Sequence, residues 1–70
     1  MKYLVVIEKT QTGYSAYSPD ILGCVSTGAT LEDVNQNMQE AIEFHIDGLI
    51  EEGLEIPKPS TYSAYVEVAA

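Results

Sequence analysis

The sequence predicts an α+β fold in which one long helix packs on one face of a small sheet. Three observations carry this prediction: short apolar or alternating stretches before residue 27, one long stretch of helical periodicity after them, and a last alternating stretch. Seventy residues make one domain, at the small end of what folds alone. We therefore expect a two-layer β-β-β-α-β domain with a mixed four-stranded sheet of order 3-2-1-4.

The first two strands are predicted over residues 2–9 and 14–18. Both faces of the first stretch are mostly apolar, which is typical of a central strand covered on both sides. The second stretch alternates tyrosine with serine and alanine. Residues 11–13 between them have the length and composition of a hairpin turn, so the two strands are expected to be antiparallel.

A turn and a third, short strand are predicted next. Pro19 has no N–H to donate, so the preceding strand should stop there or lie at an edge. Asp20 can accept hydrogen bonds from backbone N–H groups two residues on, and Gly23 supplies backbone freedom for a turn. Residues 24–26 then have room for one short strand.

One long helix is predicted from Leu31 to Glu52. Its apolar residues recur at spacings of three and four and form one stripe, and Thr30 is a good N-cap. The opposite face carries seven acidic residues, and the helix has no lysine or arginine. Like charges four residues apart oppose the helix, so packing must hold it. Gly53 suits the position after the helix end.

A fourth strand is predicted over residues 62–68, where the alternation returns. Residues 54–59 form a linker with two X-Pro pairs, which favour extended backbone. A right-handed strand–helix–strand return would place the fourth strand parallel to the first, beside it in the sheet.

Self-association is predicted because one helix covers only one face of such a sheet. The first strand offers apolar side chains to both faces, and an uncovered apolar face or edge is usually buried in an interface. We expect a homo-oligomer, either a dimer or a tetramer. Its expected interface includes Tyr3, Val5, Tyr14, Tyr62 and Tyr65.

The charge of the chain limits its partners. Eleven acidic residues against three lysines give a formal net charge of −8. Such a chain repels phosphate backbones, so we expect no direct nucleic-acid binding, and it attracts basic partners. No apolar run approaches the roughly 20 residues of a membrane span, and no secretory signal is visible. Cys24 is expected to be a buried, inert thiol in a reducing cytoplasm.

No residue pattern predicts a catalytic, metal or cofactor site. His45 lies on the apolar stripe of the helix, where a partly buried core or interface residue is expected. Glu8, Glu43 or Glu40, and Glu67 could be the acids of a two-metal nuclease, but such acids must converge within a few ångströms, and other helix acids fit equally well. We therefore expect a protein that is not an enzyme and uses no cofactor.

The string Tyr-Ser-Pro-Asp-Ile-Leu-Gly-Cys-Val-Ser-Thr-Gly-Ala-Thr-Leu-Glu-Asp-Val covers residues 17–34. With Gly13-Tyr14 before it and a long acidic helix after it, it resembles the HicB antitoxin family, and more narrowly its small stand-alone HicB-like domains. The resemblance extends from about Lys2 to Val68 and implies a β-β-β-α-β domain likened to a partial RNase H fold. Many full-length members add a C-terminal DNA-binding domain. We expect a single HicB-like domain over residues 1–70, without that addition.

The resemblance also implies a partner, a small basic RNA-cleaving toxin of the HicA type, which the domain would block by masking the active site. It implies partner contacts at Tyr17, Pro19, Asp20, Leu22 and Gly23. Two alternatives stay open. One is an oligomeric HicB-like module without a toxin, with a structural or regulatory role. The other, less favoured, is the metal-dependent nuclease.

Overall fold

The computed structural model describes residues 1–70 and contains three strands and one helix. They are β1 (Val6–Lys9), β2 (Tyr14–Tyr17), β3 (Val25–Gly28) and α1 (Leu31–Glu51). The sheet has the order β1-β2-β3, and both pairs are antiparallel. β2 is therefore the central strand, and β1, which was expected to be central, lies at an edge.

The predicted four-stranded mixed sheet of order 3-2-1-4 is wrong. The sheet is a purely antiparallel meander of three strands, and residues 62–68 form no strand. The hydroxyl of Tyr3 donates to the carbonyl of Pro57 at 2.6 Å, and Asp20, beyond the end of β2, binds Ser60 and Thr61. The chain after α1 thus passes Tyr3 and reaches the turn after β2, and Tyr62 and Ser63 lie beside residues 2–4 without pairing with them as a strand.

The end of β2 follows from the missing donor of Pro19. In the register of β1 and β2, Val6 lies opposite Tyr17, so Leu4 falls opposite Pro19. Proline cannot donate a ladder hydrogen bond. The hydroxyl of Ser18 donates instead to the carbonyl of Leu4 at 2.9 Å, and Ser18 is buried. The carbonyl of Leu4 therefore has a hydrogen-bond donor even though Pro19, opposite it, has none.

Both ends of α1 are capped as the sequence predicts. The side chain of Thr30 accepts a hydrogen bond from the N–H of Asp33 at 3.0 Å. At the other end Gly53 has a φ of 70°. Its N–H donates to the carbonyl of Ile50, and the N–H of Leu54 donates to that of Leu49. This pair of bonds is the Schellman arrangement, which satisfies the last carbonyls of the helix.

The core lies between the sheet and one face of α1. Its five buried hydrophobic residues are Ala16, Ile21, Cys24, Val34 and Met38. The helix approaches β3 closely at Gly28, where an added Cβ would lie 2.4 Å from the backbone nitrogen of Val34. Only glycine allows this approach, so Gly28 fixes the distance between the two layers. The opposite face of the sheet carries no helix.

Candidate partner-binding site

The turn between β2 and β3 is held rigidly to the body of the domain. Ile21 is 1% exposed and anchors the turn in the core. Its N–H donates to the carbonyl of Ser18, and the N–H of Cys24 donates to the carbonyl of Ile21, which makes two successive backbone turns. Gly23 has a φ of 77°, a conformation that other residues rarely adopt. The predicted need for glycine here is confirmed.

Asp20 attaches the C-terminal segment to this turn. Its two carboxylate oxygens accept four hydrogen bonds: from the N–H groups of Ser60 and Thr61, both at 3.2 Å, and from their hydroxyls at 3.0 and 2.7 Å. The hydrogen bond from the Thr61 hydroxyl is the main cause that lowers the pKa of Asp20 below its ordinary value. The sequence predicts a turn residue here, whereas the partners of the carboxylate lie forty residues away.

An exposed apolar cluster lies at the same end of the sheet. Leu22 projects from the turn and is 89% exposed. Tyr17, 43% exposed, lies opposite Val25, which is 68% exposed, on neighbouring strands. We call Tyr17, Leu22 and Val25 the turn cluster. Val25 was not among the predicted site residues. Only the register of β2 and β3, which the sequence analysis did not assign, places it opposite Tyr17.

The remaining predicted partner contacts, Pro19 and Gly23, are exposed within the turn. The five predicted partner contacts therefore lie in one continuous segment, in which Ile21 is buried and Leu22 projects into solvent. Their role in binding stays a prediction. Asp20 differs from the others because its carboxylate is already engaged within the chain.

The five residues predicted for an oligomer interface separate into two groups. Tyr3, Val5 and Tyr14 are half-buried and pack against the core on the helix side of the sheet. Tyr62 and Tyr65 lie on the extended C-terminal stretch, and both are almost completely exposed. Tyr3 and Tyr62 line one shallow depression between the start of the chain and its C-terminal stretch, whereas Val5, Tyr14 and Tyr65 lie outside it.

Negative charge is concentrated on α1 and just after it. Seven of the eleven acidic residues lie between Glu32 and Glu52, and the last turn of the helix carries no basic residue. The C-terminal end of a helix already bears a partial negative charge, so these acids strengthen the negative potential there. This face of the molecule is suited to a basic partner.

The residues considered for chemistry do not assemble into a metal site. No three of the His, Cys, Asp and Glu side chains converge as metal ligands would. Glu67 lies on the exposed C-terminal stretch, and His45 is half-buried on α1. Burial raises the pKa of the Cys24 thiol, which lowers its thiolate fraction at neutral pH. No helix is both long and apolar enough to cross a membrane.

The chain is similar to several known proteins. It is 42% identical over 66 residues to an uncharacterised 14.9 kDa protein of Haemophilus phage HP1, covering 94% of the chain and 50% of that protein. It is 46% identical over 57 residues to a UPF0150 protein of Synechocystis, covering 80% and 72% of the two. Antitoxin HicB 2 of Photorhabdus laumondii is 38% identical over 71 residues, covering 100% of the chain and 51% of that antitoxin. The chain spans about half the length of the phage and Photorhabdus relatives.

A solved structure has the same fold. It is a chain of a HicA3 and HicB3 toxin-antitoxin complex, which is similar with a TM-score of 0.73 and 40% identity over 86% of this chain and 70% of that one. The family described as the HicB-like antitoxin of bacterial toxin–antitoxin systems matches residues 3–69. These similarities confirm the resemblance seen in residues 17–34. The chain belongs to the HicB-like antitoxin family of bacterial toxin–antitoxin systems.

Proposed function

We propose that this chain is an antitoxin domain that binds a small basic toxin of the HicA type and blocks it by masking its active site. The observation that carries the proposal is the similarity, at 40% identity, to a chain of a HicA3 and HicB3 complex. The domain acts by binding, with no catalytic step and no cofactor. It does not bind the RNA itself, because its net charge of −8 repels phosphate groups.

The turn cluster is the proposed anchor of the contact. A large apolar side chain on a rigid backbone loses little conformational freedom on binding, so Leu22 is a good anchor for a pocket on the partner. Ile21 fixes the turn from inside, since its side chain is buried while that of its neighbour is exposed. Tyr17 and Val25, which lie opposite each other at the same end of the sheet, add further exposed apolar surface.

The acidic surface of α1 is proposed to guide the encounter. An RNA-cleaving toxin carries basic residues that bind phosphate, and a negatively charged protein competes for them. Long-range attraction raises the association rate, whereas the apolar anchor limits dissociation. The two parts of the site therefore affect different kinetic constants.

The proposal is tested with two matched substitutions and a purified small basic toxin of the HicA type. We expect Leu22→Ala to weaken binding by at least about tenfold, on the order of 1.4 kcal/mol or more, because it removes the anchor. Phe44→Ala is the control: Phe44 is 83% exposed on α1, close to the 89% of Leu22, but lies outside the turn. We expect it to change the affinity less than about threefold. Isothermal titration calorimetry measures both.

Two results would contradict this account. An equal loss of affinity in the two variants would show that the turn is not the contact. The absence of binding by the unmodified chain to any such toxin would favour the alternative, an oligomeric HicB-like module with a structural or regulatory role.

A further inference from the structure

The segment that follows α1 is held to the body of the domain at two points. The hydroxyl of Tyr3 donates to the carbonyl of Pro57 at 2.6 Å. The carboxylate of Asp20 accepts four hydrogen bonds from Ser60 and Thr61. The prolines of this segment each fix a backbone φ angle, which stiffens it further. The residue after Thr61 therefore leaves the domain from a fixed position.

Tyr62 is that residue, and it lies beside the start of the chain. Together with Lys2 and Leu4 it lines a shallow depression. Its side chain is nevertheless 92% exposed, so the body of the domain positions this residue without covering it. A tyrosine offers a large, amphipathic contact area with only two side-chain torsions, and tyrosines are enriched in protein interfaces.

The depression borders the sheet face on which the turn cluster lies. Along residues 3–7 every second side chain packs against the core, which leaves Leu4 and Val6 on the face that carries no helix. Both are half-exposed. Tyr17 of the turn cluster lies opposite Val6 in the register of β1 and β2, and cross-strand partners share a face. Tyr62 therefore lies at the margin of the face that carries Tyr17.

The attachment at Asp20 also joins the two segments from which Leu22 and Tyr62 project. Leu22 comes two residues after Asp20, and Tyr62 comes directly after Thr61, whose hydroxyl donates to Asp20 at 2.7 Å. Two large exposed side chains thus project within a few residues of one shared carboxylate. Both are placed before any partner arrives, so each loses little conformational freedom on contact.

We propose that Tyr62 is a further contact residue for the toxin and that Asp20 is its positioning residue. The inference rests on the proposed function and deepens it: the contact surface is built from the turn cluster and from Tyr62, which the attachment brings to its margin. Asp20 acts through the segment it holds and does not touch the toxin. Its carboxylate is accordingly engaged within the chain, although it lies among the predicted partner contacts.

The contact is tested by measuring the dissociation constant of the complex with the same purified toxin. We expect Tyr62→Ala to raise it at least about fivefold. Tyr65→Ala is the matched control, because Tyr65 is the same residue type, is fully exposed and lies three residues further along the same stretch. We expect this control to change the dissociation constant less than about twofold.

The positioning role is tested by repeating the substitutions in the Asp20→Asn chain. Asp20→Asn alone should raise the dissociation constant by about the same factor as Tyr62→Ala, and adding Tyr62→Ala should then change it less than about twofold. Leu22→Ala should weaken binding by the same factor in both backgrounds, since Ile21 anchors the turn in the core independently of Asp20.

Three results would overturn the proposal. They are equal effects of Tyr62→Ala and Tyr65→Ala, an undiminished effect of Tyr62→Ala in the Asp20→Asn chain, and loss of the Leu22→Ala effect in that chain, which would show that Asp20 holds the turn itself. In each of them the unmodified chain binds the toxin, so the proposed function stands. If the unmodified chain does not bind, the proposed function and this inference fail together.

Discussion

At the scale of single residues, Asp20 connects the two ends of the chain. Its carboxylate binds two backbone N–H groups and two hydroxyls of Ser60 and Thr61, and no other side chain of the molecule accepts as many hydrogen bonds. The attachment orients everything that follows Thr61. It therefore fixes the point at which residues 62–68 leave the body of the domain.

The attachment should depend on pH. Because folding lowers the pKa of Asp20, its charged form stabilises the attachment at pH values above the ordinary pKa of 3.8, and this stabilisation is lost as the pH falls through the lowered pKa. We expect the amide signals of Ser60 and Thr61 in NMR spectra to change with a midpoint below pH 3.8. A midpoint at or above that value would contradict the hydrogen bonds described.

The same attachment should fail at neutral pH when the carboxylate is replaced. We expect Asp20→Asn to shift the amide signals of Ser60 and Thr61 toward those of the acid form, because the amide offers one acceptor oxygen in place of two. Asp47→Asn is the matched control, since Asp47 is an exposed acid on α1. Unchanged signals in Asp20→Asn, or equal changes in both variants, would show that the carboxylate does not hold the segment.

Residues with local roles could be predicted from the sequence, and residues with distant partners could not. Thr30, Gly23 and Gly53 act through hydrogen bonds or backbone angles within a few residues, so their type and position suffice to identify them. The hydrogen bonds of Asp20 and of Ser18 join residues 40 and 14 positions apart, respectively. Nothing in the neighbouring sequence of either residue indicates such a partner.

At the scale of elements, the contact between β3 and α1 depends on Gly28. An added Cβ would lie 2.4 Å from the nitrogen of Val34, which belongs to the helix backbone and cannot move aside as a flexible side chain could. In the sequence Gly28 is simply a glycine between the predicted third strand and the N-cap Thr30. The close approach depends on the packing of two elements, which the sequence does not specify directly.

This contact predicts that replacing two different glycines by alanine changes the stability of the fold in opposite directions. We expect Gly28→Ala to destabilise the fold by about 1–3 kcal/mol, because the layers must move apart. Gly48→Ala should stabilise it by about 0.5–1 kcal/mol, since alanine is the better helix former and a Cβ at Gly48 meets nothing within 4 Å. Urea unfolding of the two variants measures both changes. Changes of the same sign would contradict the packing described.

The strand prediction for residues 62–68 failed for a physical reason at this scale. Alternating apolar and polar residues indicate that a segment fits a sheet, but they do not indicate which edge it joins or in which copy of the chain. The helix and the first three strands have partners close in sequence. The helix and the second and third strands were predicted within two residues of the observed bounds, whereas the first strand begins at Val6 and not at residue 2. Residues 62–68 follow a long helix, so any strand partner would be distant in sequence.

At the scale of the whole molecule, the net charge of −8 is the property most relevant to partners. The turn cluster is apolar, and the acids are concentrated from Glu32 to Glu52. The surface that attracts a basic partner and the proposed apolar anchor for that partner therefore lie in different parts of the molecule. The charge could be read from the sequence. The position of the turn cluster could not, because it depends on Ile21 entering the core while Leu22 points outward.

The contribution of charge to toxin binding should respond to salt. Raising the ionic strength screens attraction between exposed charges, so we expect the association rate constant to fall by at least about tenfold from low to high salt while the dissociation rate constant changes little. Leu22→Ala should instead raise the dissociation rate constant. Surface plasmon resonance separates the two constants. An association rate constant that does not depend on salt would show that the acidic surface does not guide the encounter.

An RNA cleavage assay tests the central claim most directly. A HicA-type toxin that binds the chain cleaves a labelled RNA, and the cleavage is measured at increasing ratios of chain to toxin. The account predicts that cleavage stops once the chain is present in slight excess, and that Leu22→Ala requires at least about tenfold more protein for the same inhibition. Undiminished cleavage by a toxin saturated with the chain would contradict masking of the active site.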